Sequence, residues 1–523
     1  MTTTTSTRPS FNVARQPCVP VLEGGEPVRV SLRDALAHAY EYAEIQHQVP
    51  TVEFGLYRLL IALVIDIFFV EPGEKLNDTR LAKVLSQGSF DADRIDRYFD
   101  RHADKFDLFH EQTPFLQSGQ MAGKEKPVAN LIPSVPSGTN VMHFHRAHED
   151  EFAVEPEEAL GLLASIAPFM TAGGAGLSPS INGAPPVYAL VRGKNLFETL
   201  CLNVYAQELP LASEQDAPAW RSSRAAGGER QSSGYVESLT WRPRRVQLTP
   251  HVTTGGLTVR TMKFEAGDST RFEWRDPNAA YRLSDKGPAI MRLREGRDLW
   301  RDVGPLALLP VSTTARRPLV VEQFARFIDD RLLPKTTVLK LTLYGMRTDL
   351  KMKVFEWRRD ELRLPAALLL QGQQAKFGQE VQQRWLNQGE SVAYALRLAV
   401  KKLYPRDGGG NDKAFGSRVA YVERSYWNAL RGTFEELLFQ LAQAGNEVAA
   451  WELLRAAWRH AVEREARTAF ERASDGLGTG NHALERATRA RRSLEFGIKR
   501  VFDPLPPDGK PKRGKRKEQN DGS

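Results

Sequence analysis

After Pro365 the apolar residues fall at one spacing, and that spacing leaves the chain little choice of fold. Val392, Leu396, Ala399 and Leu403 recur every three or four positions. So do three further sets: Val422, Leu430, Phe434, Leu437 and Leu441; Trp451, Leu454, Trp458 and Val462; and Leu484, Ala487, Leu494, Ile498 and Val501. An α-helix turns once in 3.6 residues, so each set lines one helix face. Gly408-Gly409-Gly410 and Gly476-Leu477-Gly478-Thr479-Gly480 supply turns between them. Four such helices bury their stripes against one another, which predicts an antiparallel four-helix bundle at 374–503. Residues 504–523 are rich in Pro and Lys and lack aromatics, which predicts a disordered basic tail.

The chain has 523 residues, more than one hydrophobic core serves. Residues 1–373 read as a separate, mixed α/β domain, so the fold class expected is α+β, with the bundle last. Apolar runs at Cys18–Leu22 and Val28–Val30 flank Glu23-Gly24-Gly25-Glu26, a hairpin pattern. Ser31 reads as the N-cap of a helix through about Ala43. Further helices are expected at Leu56–Phe69, Asn77–Gln87, Asp91–Tyr98 and Pro156–Pro168. Residues 211–234 read as a polar loop. Leu339, Leu341 and Leu343 alternate with Lys340 and Thr342; Met352 and Val354 alternate with Lys351 and Lys353. These runs predict a hairpin with one apolar and one basic face, connected through Gly345–Leu350.

The formal net charge is +8 and the pI about 9.3, which points to a polyanionic partner. The basic excess is dense between Trp241 and Arg301, where thirteen Arg and Lys face seven Asp and Glu. There Trp241, Arg242, Arg244, Arg245, Lys263, Phe264, Arg271, Phe272, Trp274 and Arg275 interleave cations with aromatics, a pattern suited to phosphates and stacked bases. Two cysteines, Cys18 and Cys201, rule out a disulfide scaffold and a thiolate zinc site. The first residues lack a charged segment followed by an apolar run, and Leu56–Val70 is too short to span a bilayer and carries Arg58 and Asp66. A cytoplasmic protein without membrane contact is expected.

Candidate chemistry is sparse. His143, His145, His148, Glu149 and Asp150 have ligand-like spacing, so a metal-dependent hydrolase is one reading. The other readings of that cluster are a solvated loop and RNA contact through Phe144 and the histidines. Gly173-Gly174-Ala175-Gly176 matches neither the P-loop nor the dinucleotide fingerprint. Glycines there allow either a plain turn or close approach of main chain to a narrow surface. No Ser or Cys nucleophile elbow, HExxH motif or kinase signature is present. A binding protein without catalysis or cofactor is favoured.

Several short segments, in order, resemble the CasA family, the large subunit of the type I-E CRISPR Cascade complex. They are Pro20-Val21 before Gly24-Gly25, Thr113-Pro114-Phe115-Leu116-Gln117, Ser137-Gly138-Thr139-Asn140, Gly173–Gly176, Val191-Arg192-Gly193, Leu202-Asn203-Val204, and Gly234-Tyr235-Val236 to Trp241 and Pro243. The resemblance implies a subunit that recognises the protospacer-adjacent motif (PAM) from the minor groove of target double-stranded DNA. It implies further that the subunit helps open the duplex and recruits the helicase–nuclease. The implied partners are the CRISPR RNA and the other Cascade subunits. It assigns Gly173, Gly174 and Gly176 to a DNA-contacting glycine loop and Lys263 to a lysine finger. Asn140, His143, Phe144 and His145 fall in an RNA-handle loop, and Leu350, Lys351, Met352 and Lys353 in a wedge hairpin. The family's wedge often carries a glutamine; this hairpin has none. Leu350 or Met352 would wedge by apolar insertion, with Lys351 and Lys353 on phosphates. Arg397, Lys401, Lys402, Arg489, Arg491 and Arg492 form a bundle face suited to holding a displaced strand.

Overall fold

The structure is a computed structural model that describes residues 9–132, 152–173, 176–207, 216–222, 224–232, 234–271, 274–285, 287–308, 315–349, 353–404, 412–475, 477–478 and 480–503. The chain divides into two compact units, Met1–Gly378 and Gln379–Ser523. The first mixes helix and sheet and the second is helical, as the α+β expectation requires. The tail expected at 504–523 lies outside the described residues.

The first unit opens with the hairpin Val19–Glu23 and Glu26–Val30, paired from Val19↔Val30 to Glu23↔Glu26. Its two-residue turn needs positive φ at both positions, and Gly24 and Gly25 supply +58° and +95°. The Ser31 side chain accepts a bond from Asp34 N at 3.0 Å and caps the helix Leu32–Ala37. That helix stops six residues short of the expected Ala43. Tyr42–Ile45 instead pairs as a third strand on Val19–Glu23. The chain between is held by Phe197 N on Ala39 O (3.0 Å) and Asn195 Nδ2 on Tyr40 O (3.0 Å).

The expected Leu56–Phe69 helix begins earlier, at Pro50, runs to Ile65 and closes in a π-turn, Asp66–Val70. Every residue from Thr51 to Phe69 is buried, so no polar face exists to show a helical period. Glycines set its distance from the helix Pro156–Phe169. A Cβ on Gly55 would meet Ala164 C at 2.8 Å, and one on Gly161 would meet Val52 Cγ1 at 2.5 Å.

Three charged residues lie on this buried helix, and each is answered from far along the chain. Glu53 accepts from Tyr344 OH (2.5 Å) and Arg359 Nε (3.0 Å). Arg58 donates to Asp276 Oδ2 (2.6 Å) and Leu239 O (3.0 Å). Asp66 accepts from Tyr98 OH (2.5 Å) and Arg221 Nε (2.8 Å). Burial pushes the Asp66 carboxyl above its usual range, and the Arg221 hydrogen bonds oppose that push.

A sheet of Val354–Pro365, Val338–Thr348 and Tyr188–Arg192, all antiparallel, faces the same helix. Phe54 stacks on Tyr188 at 4.4 Å between centroids. Leu339, Leu341 and Leu343 are buried as expected, but so is Thr342, expected on the polar face, because this strand is central in its sheet. The hairpin is longer than expected: Gly345 to Thr348 stay paired, against Arg358 to Val354, so the connection is 349–353 rather than 345–350. Gly345 passes under Leu293, whose Cβ would lie 3.2 Å from an added Cβ. A second sheet orders Glu125–Pro127, Gly256–Ala266 and Arg244–Thr253. Cys18 and Cys201 are free and buried, and burial pushes both thiols well up.

The second unit packs helices Asn387–Leu403, Asp412–Ala444, Val448–Ser474 and Asn481–Phe502. The pairs Arg459–Asp503 (2.9 Å), Arg467–Glu495 (2.9 Å) and Arg491–Glu471 (3.3 Å) step in opposite directions along the last two helices, so these run antiparallel. The first three apolar sets are buried as their spacing predicts. The fourth is corrected in its first half: Ala483 and Ala490 face inward and Leu484 is 58% exposed. Trp385 and Trp458 stack at 6.2 Å, and the Trp458 indole donates to Trp385 O at 2.8 Å. The ring of Trp427 covers Gly389, where a Cβ would meet it at 2.9 Å.

Asp276→Ala leaves the Arg58 guanidinium buried without a counter-charge. It is expected to cost about 3–5 kcal/mol of stability, read by denaturant unfolding of the whole chain.

Candidate nucleic-acid interface

The strands Arg244–Thr253 and Gly256–Ala266 alternate inward and outward positions. Val246, Leu248, Met262 and Phe264 are buried, and Lys263 and Glu265 lie half-buried on the other face. Lys263 pairs across the sheet with Gln247 on one side and Glu125 on the other. Its ammonium donates to Met121 O. A lysine finger from here must release that one carbonyl before it reaches a ligand.

The glycine segment lies between Met170 and Ser180, whose backbones bond at 2.8 Å. Within it Gly173 N donates to Leu177 O (3.3 Å), and Gly176 adopts φ +78°, the left-handed region where a side chain is strained. Among the described residues nothing lies within 4 Å of a Cβ built on Gly176, so what its positive φ serves there is the backbone turn. Arg244, 3% exposed, donates to Thr171 O at 2.7 Å and to Ser178 O, one on each shoulder of the segment. The same sheet thus carries Lys263 and grips the glycine segment.

The aromatic residues of 241–275 correct the sequence reading. Trp241, Phe264 and Trp274 are 2%, 5% and 7% exposed, so they are core residues and offer no face to a base. The arginines around them are engaged: Arg230 lies 4.3 Å over the Trp241 ring, Arg245 pairs with Glu265, and Arg275 with Glu322 at 3.1 Å. Arg271 pairs with Glu229 at 3.2 Å while staying exposed.

The long hairpin exposes an aromatic that the sequence reading passed over. Phe355 is 47% exposed at the hairpin's end. Arg347 Cζ lies 5.0 Å and Lys353 Nζ 5.4 Å from its ring centroid. The chain is pinned there by Asp349 N on Lys353 O (3.1 Å) and Lys353 N on Asp349 Oδ1 (3.1 Å). The signal was present, because Phe355 shares the parity of Lys351 and Lys353 and so falls on the basic face.

On the bundle, Arg397 forms two bonds of 3.0 Å to Glu423, Lys402 donates to Ser493 Oγ at 2.7 Å, Arg489 pairs with Glu485 at 2.7 Å and Arg491 with Glu471. Lys401 and Arg492 are exposed. Exposed pairs of this kind contribute about 0–1 kcal/mol each, little enough for a phosphate to displace the acid. Tyr394 and Phe496, 57% and 66% exposed, line a cleft of about 740 Å³ between the first and last helices, beside Arg500.

Asn140, His143, Phe144, His145, His148, Glu149, Asp150, Gly174, Phe272, Leu350, Lys351 and Met352 lie outside the described residues. Among the described residues no three His, Cys, Asp or Glu side chains are grouped to hold a metal, and no helix is long and apolar enough to cross a membrane. The histidines of the hydrolase reading lie outside the residues so searched.

A family model for CRISPR-associated protein Cse1 matches residues 12–469. The CRISPR-associated protein CasA/Cse1 of Thermus thermophilus is 30% identical over 525 residues, covering 93% of this chain and 96% of its own length. The crystal structure of Thermus thermophilus CasA aligns with a TM-score of 0.74 at 26% identity, over 94% of this chain and 99% of the other. A chain of a CRISPR RNA-guided surveillance complex shares the fold, with a TM-score of 0.73 at 20% identity, over 93% and 100% of the two chains.

Phe355 is half exposed at its end of the hairpin, so Phe355→Ala is expected to change stability by less than about 1 kcal/mol in thermal unfolding. A larger loss would place the ring in the core.

Proposed function

The chain belongs to the CRISPR-associated Cse1 (CasA) family, and from that membership we propose that it is the large subunit of an RNA-guided surveillance complex. In this reading it recognises the PAM on target double-stranded DNA from the minor groove. It then helps open the duplex and recruits the helicase–nuclease, and it binds without catalysing. Its setting is the cytoplasm, and its partners are the CRISPR RNA and the other Cascade subunits.

What supports this reading is that the sheet bearing Lys263 also supplies Arg244, which donates to Thr171 O and Ser178 O on either side of the glycine segment. The minor groove is narrow, and main chain without side chains approaches it most closely. Its pattern of donors and acceptors is degenerate, so such a contact reads only a short signal, and RNA–DNA pairing reads the rest. Lys263, once free of Met121 O, offers a cation on the outward face of that sheet.

Opening the duplex is assigned to the hairpin, through Leu350, Lys351, Met352 and Lys353. Phe355 joins them. With no glutamine available, an aromatic ring flanked by Arg347 and Lys353 offers a stacking face with phosphate-holding charges beside it. The displaced strand is assigned to the bundle face of Arg397, Lys401, Lys402, Arg489, Arg491 and Arg492, where Tyr394 and Phe496 add exposed rings. The handle of the CRISPR RNA is assigned to Asn140, His143, Phe144 and His145.

Gly174→Asp puts a charged side chain where main chain is to meet phosphate-lined DNA. In the assembled complex it is expected to weaken binding to PAM-bearing duplex about tenfold or more, with assembly intact. Unchanged duplex binding would remove the glycine segment from the contact. The double variant Lys351→Ala with Lys353→Ala is expected to slow opening of an intact duplex more than binding of a pre-melted target. Equal loss on both would count against a wedge.

A further inference from the structure

Beside the central helix Pro50–Ile65 lies a cavity of about 30 Å³. Gly55 and Leu59 of that helix and Leu163 and Ala164 of the helix Pro156–Phe169 give it an apolar wall. Its polar lining is Arg58, Thr240, Trp241, Arg242 and Arg244, and among the described residues no acid lines it. Leu116, Ala167 and Arg242 are its half-buried members and the rest are buried, so the cavity opens to solvent beside these three.

The donors in this lining outnumber their partners. Arg58 is answered by Asp276 at 2.6 Å, and the Thr240 hydroxyl donates to Val236 O at 3.0 Å. Trp241 and Arg244 are 2% and 3% exposed, yet the indole Nε1 of the one and Nε of the other find no partner among the described residues. The rest of the Arg244 fork donates to main-chain carbonyls: Thr171 O at 2.7 Å, Pro243 O at 2.9 Å, and Ser178 O. Arg242 makes a single hydrogen bond among the described residues, to Arg224 O at 2.8 Å. Neither of these two arginines pairs with a carboxylate there. Burial pushes Arg242 below its usual range and Arg244 down to about 10. Two buried guanidiniums and an indole N–H without an acceptor are costly if packing is their only role.

The lining sets the chemistry of an occupant. It offers donors and positive charge, which calls for an acceptor that is an anion. A guanidinium fork matches oxygens carried in pairs on one centre. The volume admits one compact group and has no room for a base or a sugar. We propose that this cavity binds a single phosphate-like oxyanion, held by Arg242, Arg244 and the Trp241 indole. Inorganic phosphate and a backbone phosphate of nucleic acid share this chemistry.

The test titrates the full-length protein with inorganic phosphate in a calorimeter, at constant ionic strength balanced with chloride. One saturable site is expected. Trp241→Phe keeps the ring and loses the N–H, and should weaken binding about fivefold. Arg242→Gln loses the charge and should weaken it about tenfold or more. Wild-type crystals soaked in selenate should show an anomalous selenium peak in the cavity, within hydrogen-bond distance of Arg242 and Arg244. The titration repeated with increasing duplex DNA separates the two sources. Phosphate affinity that falls as duplex is added assigns the site to a backbone phosphate; affinity unchanged at saturating duplex assigns it to the free anion. No saturable binding, a cavity without selenium, or equal affinity in wild type and both variants would overturn the proposal and leave a water-filled void. Should both variants fail to fold, the wild-type titration and soak decide it.

Discussion

The first unit depends on one ion pair that water does not reach. Arg58 and Asp276 meet at 2.6 Å with side chains 3% and 0% exposed. Around them, Leu239 O and Ser238 O accept from Arg58, while Asp276 accepts from Asn182 Nδ2 and Asn278 N, both at 3.0 Å. Asn182 also donates to the hydroxyl of Tyr188, which in turn donates to Pro168 O. The central helix, the helix before the glycine segment, the strand Tyr188–Arg192 and the helix Tyr235–Leu239 are thus joined through one polar cluster. Such a cluster holds only if all its members are satisfied, because a single loss strands a charge in a medium that cannot solvate it. The cost of assembling it gives the unit a single arrangement of elements that hydrophobic contact alone leaves open.

The second unit is specified differently. Its interior is apolar and aromatic, and its polarity is confined to ladders of Arg and Glu on the outside. Among the described residues the buried exception is Glu380, 5% exposed, which accepts from the Trp385 indole at 3.0 Å and from Arg455 at 2.8 Å. It ties the π-helical turn Gln379–Leu386 to the third long helix. Small residues then set how near the helices come: Gly389 under Trp427, and Gly497 against Ala395, whose Cβ would lie 2.5 Å from an added one.

These two modes explain what the sequence revealed. Helices of the bundle announce themselves because one face is wet and one dry, so Val392, Leu396, Ala399 and Leu403 repeat visibly. The fourth helix misled at Leu484, because alanines at 483 and 490 carry its inner face there and weigh little in an apolar pattern. The central helix shows no period because none of its faces is wet. Its start at Pro50 was readable from proline's fitness for a first turn. The pairing of Arg58 with Asp276 has no local signature, since the partners lie 218 positions apart. Among the candidate contacts, glycines 173 and 176 and Lys263 were named through family likeness, while nothing local in the sequence marks Arg244 as the residue that bonds both ends of the glycine segment. Partners within one helix, such as Arg489 with Glu485, were visible at four-residue spacing. Partners across helices, such as Arg397 with Glu423, were not, and these reduce the free charge that a count of basic residues suggests.

The two cysteines are sealed in the first unit, with thiols held in their protonated, unreactive form. The chain is therefore already silent toward thiol reagents in its folded state. A single cysteine introduced at the exposed end of the long hairpin, or on an outer turn of the bundle, becomes the one site that a maleimide dye or spin label reaches. Two such cysteines, labelled together, report changes of distance in a protein whose own sulfur chemistry needs no removal.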